Sequence, residues 1–249
     1  MQRTFQLPEG LPGPAFWVEP DALASVAGST LFYPAAGSDM GPMLNAFSPS
    51  IQKFVFNDLY SGNMPGSGQG FTGFRRVSGS DGPDCLSGAL VEERHNGKDR
   101  TYRHLDPSFQ YEAYEREGIR IEVIRRRGFG QYALLEQPAG SIGVFVHRSD
   151  SCGEAGSNMT FLGNVQRRHE PLSNLWDKLA LRLRPQALIV SDGSLTRFNW
   201  LQVRELGAEA AYVQRRASSP LLRKGFNWRC VGFMADHGRT LIWQVTKVA

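Results

Sequence analysis

Residues 31–41 read LFYPAAGSDMG, and residues 53–58 read KFVFND. Each opens as a run of apolar residues without alternation, which is the pattern of a strand buried on both faces. The first run breaks at Pro34 into a turn of small residues that contains Gly37, Ser38 and Asp39; the second ends directly on Asn57 and Asp58. Between them, PMLNAF is short enough to be one helical segment. Strand, small-residue turn, helix and strand in this order predict the start of a βαβ arrangement.

The same signature returns later in the chain. SIGVFVHR (141–148) and QALIVSDG (186–193) are apolar runs followed by turns carrying Asp150 and Asp192. In an open parallel sheet ligands bind outside the carboxyl ends of the strands. Four such ends would bring Asp39, Asp58, Asp150 and Asp192 to one rim. Within it, Gly37 lets a ligand approach the backbone closely, and Asp58 stands where a carboxylate accepts both hydroxyls of a ribose. The alternative is that Gly37 serves the turn and Asp58 caps the segment that follows.

The rest of the chain elaborates this frame. Residues 1–19 are rich in Pro and Gly and are expected to form an arm, followed by a short helix over PDALASVA (20–27), with Pro20 and Asp21 in its first turn and Gly28 as its stop. Residues 61–83 read as a surface loop. ALVEERHNGKDRTYRHL carries Asn96-Gly97, the signature of a type I′ hairpin, so residues from about 61 to 110 are read as an insertion in a single domain spanning 28–249. SFQYEAYERE is expected to be helical and IRIEVIRR an alternating strand. EPLSNLWDKLALRL places Leu172, Leu175, Leu179 and Leu183 at helical spacing, with Pro185 as the stop. WRCVGFMADHGRTLIWQVTKV reads as a terminal antiparallel hairpin.

This order of elements resembles the class I S-adenosylmethionine-dependent methyltransferase fold. The resemblance implies a Rossmann-like α/β domain: a mostly parallel sheet with helices on both faces and a C-terminal antiparallel hairpin. It implies S-adenosylmethionine as cofactor, with Gly37, Ser38 and Asp39 in the position of the family's glycine loop and Asp58 in that of its second-strand acid. The family loop reads acid-x-Gly-x-Gly-x-Gly; here it is Tyr33-Pro34-Ala35-Ala36-Gly37-Ser38-Asp39, with Gly37 in common. The acceptor of the methyl group would then meet the cofactor near Asp150, Glu154 and Asp192.

Two further readings stay open. The reduced glycine loop suits a non-catalytic binding module that keeps the fold. The loop HRSDSCGEAGSN (147–158) suits a substrate site with Asp150 or Glu154 as general base and Arg148 on an anion, or an oxygen-rich divalent-metal site with His147, as in a hydrolase. Its acids can equally cap neighbouring helices. No spacing in the chain defines a metal site.

Charge and cysteine content narrow the partners. The 249 residues carry a net charge of +4, with Arg125, Arg126 and Arg127, then Arg167 and Arg168, then Arg215 and Arg216 in runs. Such runs form either solvated faces or phosphate contacts, which makes nucleic acid a candidate partner. The three cysteines, Cys85, Cys152 and Cys230, are scattered, which argues against a disulfide framework or zinc knuckle. With no signal peptide and no membrane-length apolar run, the expectation is a cytoplasmic protein acting on a small molecule.

Overall fold

The computed structural model describes residues 16–34, 36–37, 40–58, 71–79, 91–96, 99–104, 108–128, 130–147, 175–191, 225–234 and 240–248. They fall into two compact units, one made of 1–29 with 138–249, the other of 30–137. Each unit is built on a mixed sheet with short helices, so the class is α/β.

In the second unit, β2 (Thr30–Tyr33) and β3 (Lys53–Asp58) run parallel, as their apolar sequences predict, with Leu31 opposite Phe54 and Tyr33 opposite Phe56. Helix α2 (Met40–Phe47) connects them and buries Met40, Met43, Leu44 and Phe47, an i, i+3, i+4, i+7 stripe. On the far side of β3 lies β8 (Ile119–Arg127), also parallel. From β8 outward the sheet turns antiparallel, through β7 (Ser108–Arg116) to β4 (Arg75–Gly79).

Strand β7 replaces the helix expected over 108–117. Its glutamates, glutamine and alanine favour a helix, as does the i, i+3 spacing of Tyr111 and Tyr114, but the segment pairs along its whole length with the strand that follows it. Phe109, Tyr111, Ala113 and Glu115 lie on one side, and Gln110, Glu112, Tyr114 and Arg116 on the other, a period of two. The turn into β8 completes the hairpin. Arg116 pairs with Ile119, and the two residues between them, Glu117 (φ 53°) and Gly118 (φ 79°), are both left-handed. That is what a type I′ turn requires.

Strand β4 lies within the segment read as a surface loop. The expected hairpin is present: β5 (Val91–Asn96) and β6 (Asp99–His104) form an antiparallel pair of their own, but Asn96, read as part of the turn, is the last residue of β5 and pairs with Asp99.

In the first unit the strand order is β1 (Phe16–Val18), β11 (Phe226–Met234), β12 (Thr240–Lys247), β10 (Leu183–Ser191) and β9 (Ile142–His147). Only β9 and β10 run parallel in this series; β10–β12, β11–β12 and β1–β11 are antiparallel. The terminal hairpin was legible from sequence, and its Trp243 is fully buried, edge-to-face on Trp228 at 5.1 Å. Helix α1 (Pro20–Ser25) begins on its proline as predicted and buries Ala22. Arg229 Nη1 donates to Glu19 Oε2 at 2.6 Å and its Nε to Gln244 Oε1 at 3.1 Å, tying the start of α1 to β11 and β12.

Helix α4 (Leu175–Arg182) ends before Pro185, which lies inside β10. The register between β10 and β9 shifts between Leu183 and Leu188. A break of this kind tolerates a residue with no N–H to donate.

The expectation of a mostly parallel sheet flanked by helices on both faces is therefore corrected. Among the described pairings β2–β3, β3–β8 and β9–β10 are parallel, whereas β1–β11, β11–β12, β10–β12, β7–β8, β4–β7 and β5–β6 are antiparallel, and helices among the described residues are few and short. Strand β7 holds a position that the βαβ pattern reserves for a helix. Among the described residues no helix is long and apolar enough to cross a membrane.

Two substitutions test these local arguments. Glu117→Asn creates the favoured Asn-Gly pair at the β7–β8 turn and is expected to raise unfolding free energy by about 1 kcal/mol in urea titrations. Gly232→Ala has the opposite sign. Its Cβ would press on the Trp17 carbonyl oxygen and lie 2.9 Å from Val18 Cα, both backbone atoms of β1. A loss of about 1–3 kcal/mol is expected in the same titration.

Candidate functional site

The parallel strands β2, β3 and β8 end together, and the residues at those ends hold one another. Asp58 and Gly37, singled out from the sequence, do meet: the Gly37 N–H donates to Asp58 Oδ2 at 3.0 Å. Gly37 takes φ +49°, a conformation that glycine adopts at little cost. One residue earlier, the Ala36 N–H donates to the Asn57 carbonyl at 2.8 Å. Beyond β8, the Gly128 N–H donates to the Asp58 carbonyl at 3.0 Å. The chain leaving β2 and the chain leaving β8 are thus both pinned to the last two residues of β3.

Asn57 is the centre of this arrangement. It is wholly buried, and its Nδ2 donates to the Pro34 carbonyl and to the Gly128 carbonyl, each at 2.8 Å. Its Oδ1 accepts from Arg126 Nη1 at 2.8 Å. One side-chain amide therefore bridges the turns on either side of β3.

Arg126 extends the network to helix α3 (Gly130–Leu135). Just past that helix, Glu136 accepts from Arg126 Nε at 2.7 Å and from Nη2 at 2.6 Å, a bidentate pair. The arginine side chain is 1% exposed and the glutamate 41%. The guanidinium also lies 5.6 Å from the centroid of the Phe109 ring. Every nitrogen of this buried cation has an acceptor, which is the condition for burying it.

Its neighbours on β8 are buried too, at 1% for Arg125 and 7% for Arg127. Arg125 donates through Nη2 to Gln110 Oε1, and its Nε lies 3.2 Å from Glu112 Oε2. Arg76 Nε on β4 approaches the other oxygen of Glu112 at 3.8 Å. Within the Arg125–Arg127 run, read as a solvated face or a phosphate-binding cluster, Arg125 and Arg126 are engaged by the protein's own acids and amides.

Of the other residues named from sequence, Ser38, Asp39, Asp150, Glu154 and Asp192 lie outside the described residues, as do Arg148, Cys152 and the Arg167–Arg168 and Arg215–Arg216 runs. Among the described residues no group of three or more His, Cys, Asp or Glu is placed to hold a metal ion. Sequence reasoning missed Asn57, Arg126 and Glu136. The available signal was an amide ending an otherwise apolar strand, and a basic run ending another, since polar groups in buried strands must find partners.

No family model and no curated protein matches this chain. Among solved structures, it is similar to the one described as "Complex structure of Trm1 from Pyrococcus horikoshii with S-adenosyl-L-Methionine", at 9% identity and a TM-score of 0.40. The similarity covers 91% of this chain and 52% of that one, so the chain spans about half the length of the structure it resembles. At that level of likeness no chemistry transfers.

The bridging role of Asn57 predicts that Asn57→Ala loses about 3 kcal/mol in denaturant unfolding, since two buried carbonyls lose their donor and a buried guanidinium an acceptor. Hydrogen exchange adds a local signature. Ala36 and Gly128 amides are expected to lose protection before those of β11 and β12.

Proposed function

We propose that this chain is a methyltransferase-like protein of Rossmann-like type that binds a nucleoside-containing small molecule, with S-adenosylmethionine as the leading candidate. The observation that carries the reading is the Gly37–Asp58 contact at 3.0 Å across the carboxyl ends of two adjacent parallel strands. Carboxyl ends of parallel strands are where such folds take their ligands.

The residues suit a nucleoside in two respects. Gly37 presents backbone without a side chain and takes φ +49°, which other residues rarely adopt. A carboxylate at the end of a parallel strand is the type of acceptor that sugar hydroxyls require. S-adenosylmethionine would supply an electrophilic methyl group, and this chain would hold the cofactor and align an acceptor. Asp150, Glu154 and Asp192 are the candidates to position that acceptor or remove its proton.

A second reading is a binding module without catalysis. It is favoured by the burial of Asp58, 6% exposed, and by its bond to Gly37, which together give the pair a purely architectural use.

Titration calorimetry with S-adenosylmethionine and S-adenosylhomocysteine separates the two. Micromolar binding is expected for the wild type. Asp58→Asn can still accept the Gly37 amide but lacks the carboxylate, and is expected to bind about tenfold more weakly with an unchanged melting profile. Absence of heat with both ligands, from folded protein freed of bound small molecules, would leave the binding-module reading.

A further inference from the structure

We infer that the outer face of the β4–β7–β8 sheet is a stacking platform for single-stranded nucleic acid, with Tyr111 as its central ring. This does not depend on the cofactor reading. The face is defined by register: Tyr111 lies opposite Ile124, Phe109 opposite Arg126, Ala113 opposite Glu122, and Glu115 opposite both Arg120 and Arg75. The opposite face of β7 turns toward α2, where Arg116 donates to Asn45 Oδ1 at 3.1 Å and Ser48 Oγ at 2.7 Å.

The rings on the outer face are arranged as a shelf. Phe109 and Tyr111, two residues apart on one strand, are nearly parallel at 13°, with centroids 6.1 Å apart. Phe109 is half-buried, and its ring is also in contact with the buried Arg126 guanidinium. Tyr111 is 62% exposed, the most exposed aromatic among the described residues. A tyrosine supported from one side and open on the other presents a fixed π-face at little entropic cost. Bases of single strands stack on such rings with little regard to sequence, whereas bases in a duplex are already stacked on each other.

The surrounding charge suits a phosphate backbone. Lys53, Arg75 and Arg120 are exposed on this face, against Glu115 and Glu122. Arg75 and Arg120 flank Glu115 from the two neighbouring strands, and Arg75 Nη2 lies 3.2 Å from its Oε2. The cations are therefore in excess, and they lie several residues along the strands from Tyr111, a span that a few nucleotides cover. With Arg125, Arg126 and Arg127 buried, Lys53, Arg75 and Arg120 are the exposed basic side chains among the described residues of this face.

Fluorescence anisotropy with short labelled oligouridylate and oligothymidylate, and with a duplex of equal length, tests the inference on the full chain. The wild type is expected to bind the single strands more tightly than the duplex and to weaken as salt rises. Tyr111→Ala is expected to weaken single-strand binding by about tenfold, and Tyr111→Phe to retain it. Tyr111 is exposed, so an unchanged thermal transition certifies the fold of both variants. Three results would overturn the inference: no binding of any oligonucleotide, equal binding by Tyr111→Ala, or a self-associating wild type whose dimer is lost in Tyr111→Ala, which would make the face a contact between copies of the chain.

Discussion

Burying a guanidinium sets the terms for the whole strand-end region. Arg126 is almost completely removed from water, and desolvating such an ion costs several kcal/mol unless its donors are matched. Here the match comes from two directions: Asn57 on β3 and Glu136 just after α3. Neither partner can move without leaving the cation uncompensated. Because Asn57 also holds the Pro34 and Gly128 carbonyls, the requirement of one charge is passed to both turns beside β3. The geometry of Gly37 and Asp58 is downstream of that requirement.

Strand β8 is where the two halves of its sheet meet, parallel to β3 on one edge and antiparallel to β7 on the other. Its arginines serve both edges. Arg126 faces the parallel side through Asn57, while Arg125 faces Gln110 and Glu112 on β7. Replacing such groups with apolar side chains of similar volume can leave stability unchanged. What the polar pairs add is register: sliding β7 by one residue would turn Glu112 away from Arg125 and set a buried acid against apolar neighbours.

The apolar strands were legible because burial on both faces leaves a continuous run: LFY, KFVF, VFV and ALIV all became β2, β3, β9 and β10. Proline at the start of α1 and the aromatic-rich terminal hairpin were equally plain. The 108–116 strand was not, because its glutamates and alanine favour a helix, and the deciding partner, Arg125, lies on another strand. Its turn was missed because Glu-Gly is a weaker marker than Asn-Gly. At the site, Gly37 and Asp58 were found from their positions at strand ends. Asn57 and Arg126 were passed over because their roles depend on contacts between strands, which a single sequence does not display.

The two units also differ in how the chain supplies them. Residues 30–137 form one unbroken stretch, whereas the other unit joins the first residues to the last, with Phe16 of β1 opposite Met234 of β11. During synthesis the contiguous unit has all its strands before the other has its second half. The segment carrying β1 and α1 must wait for its partner strand until β11 leaves the ribosome. Assembly is thus ordered by the path of the chain: the unit containing Gly37, Asp58 and Arg126 can reach its final hydrogen bonding first, and the pairing of β1 with β11 is the late event.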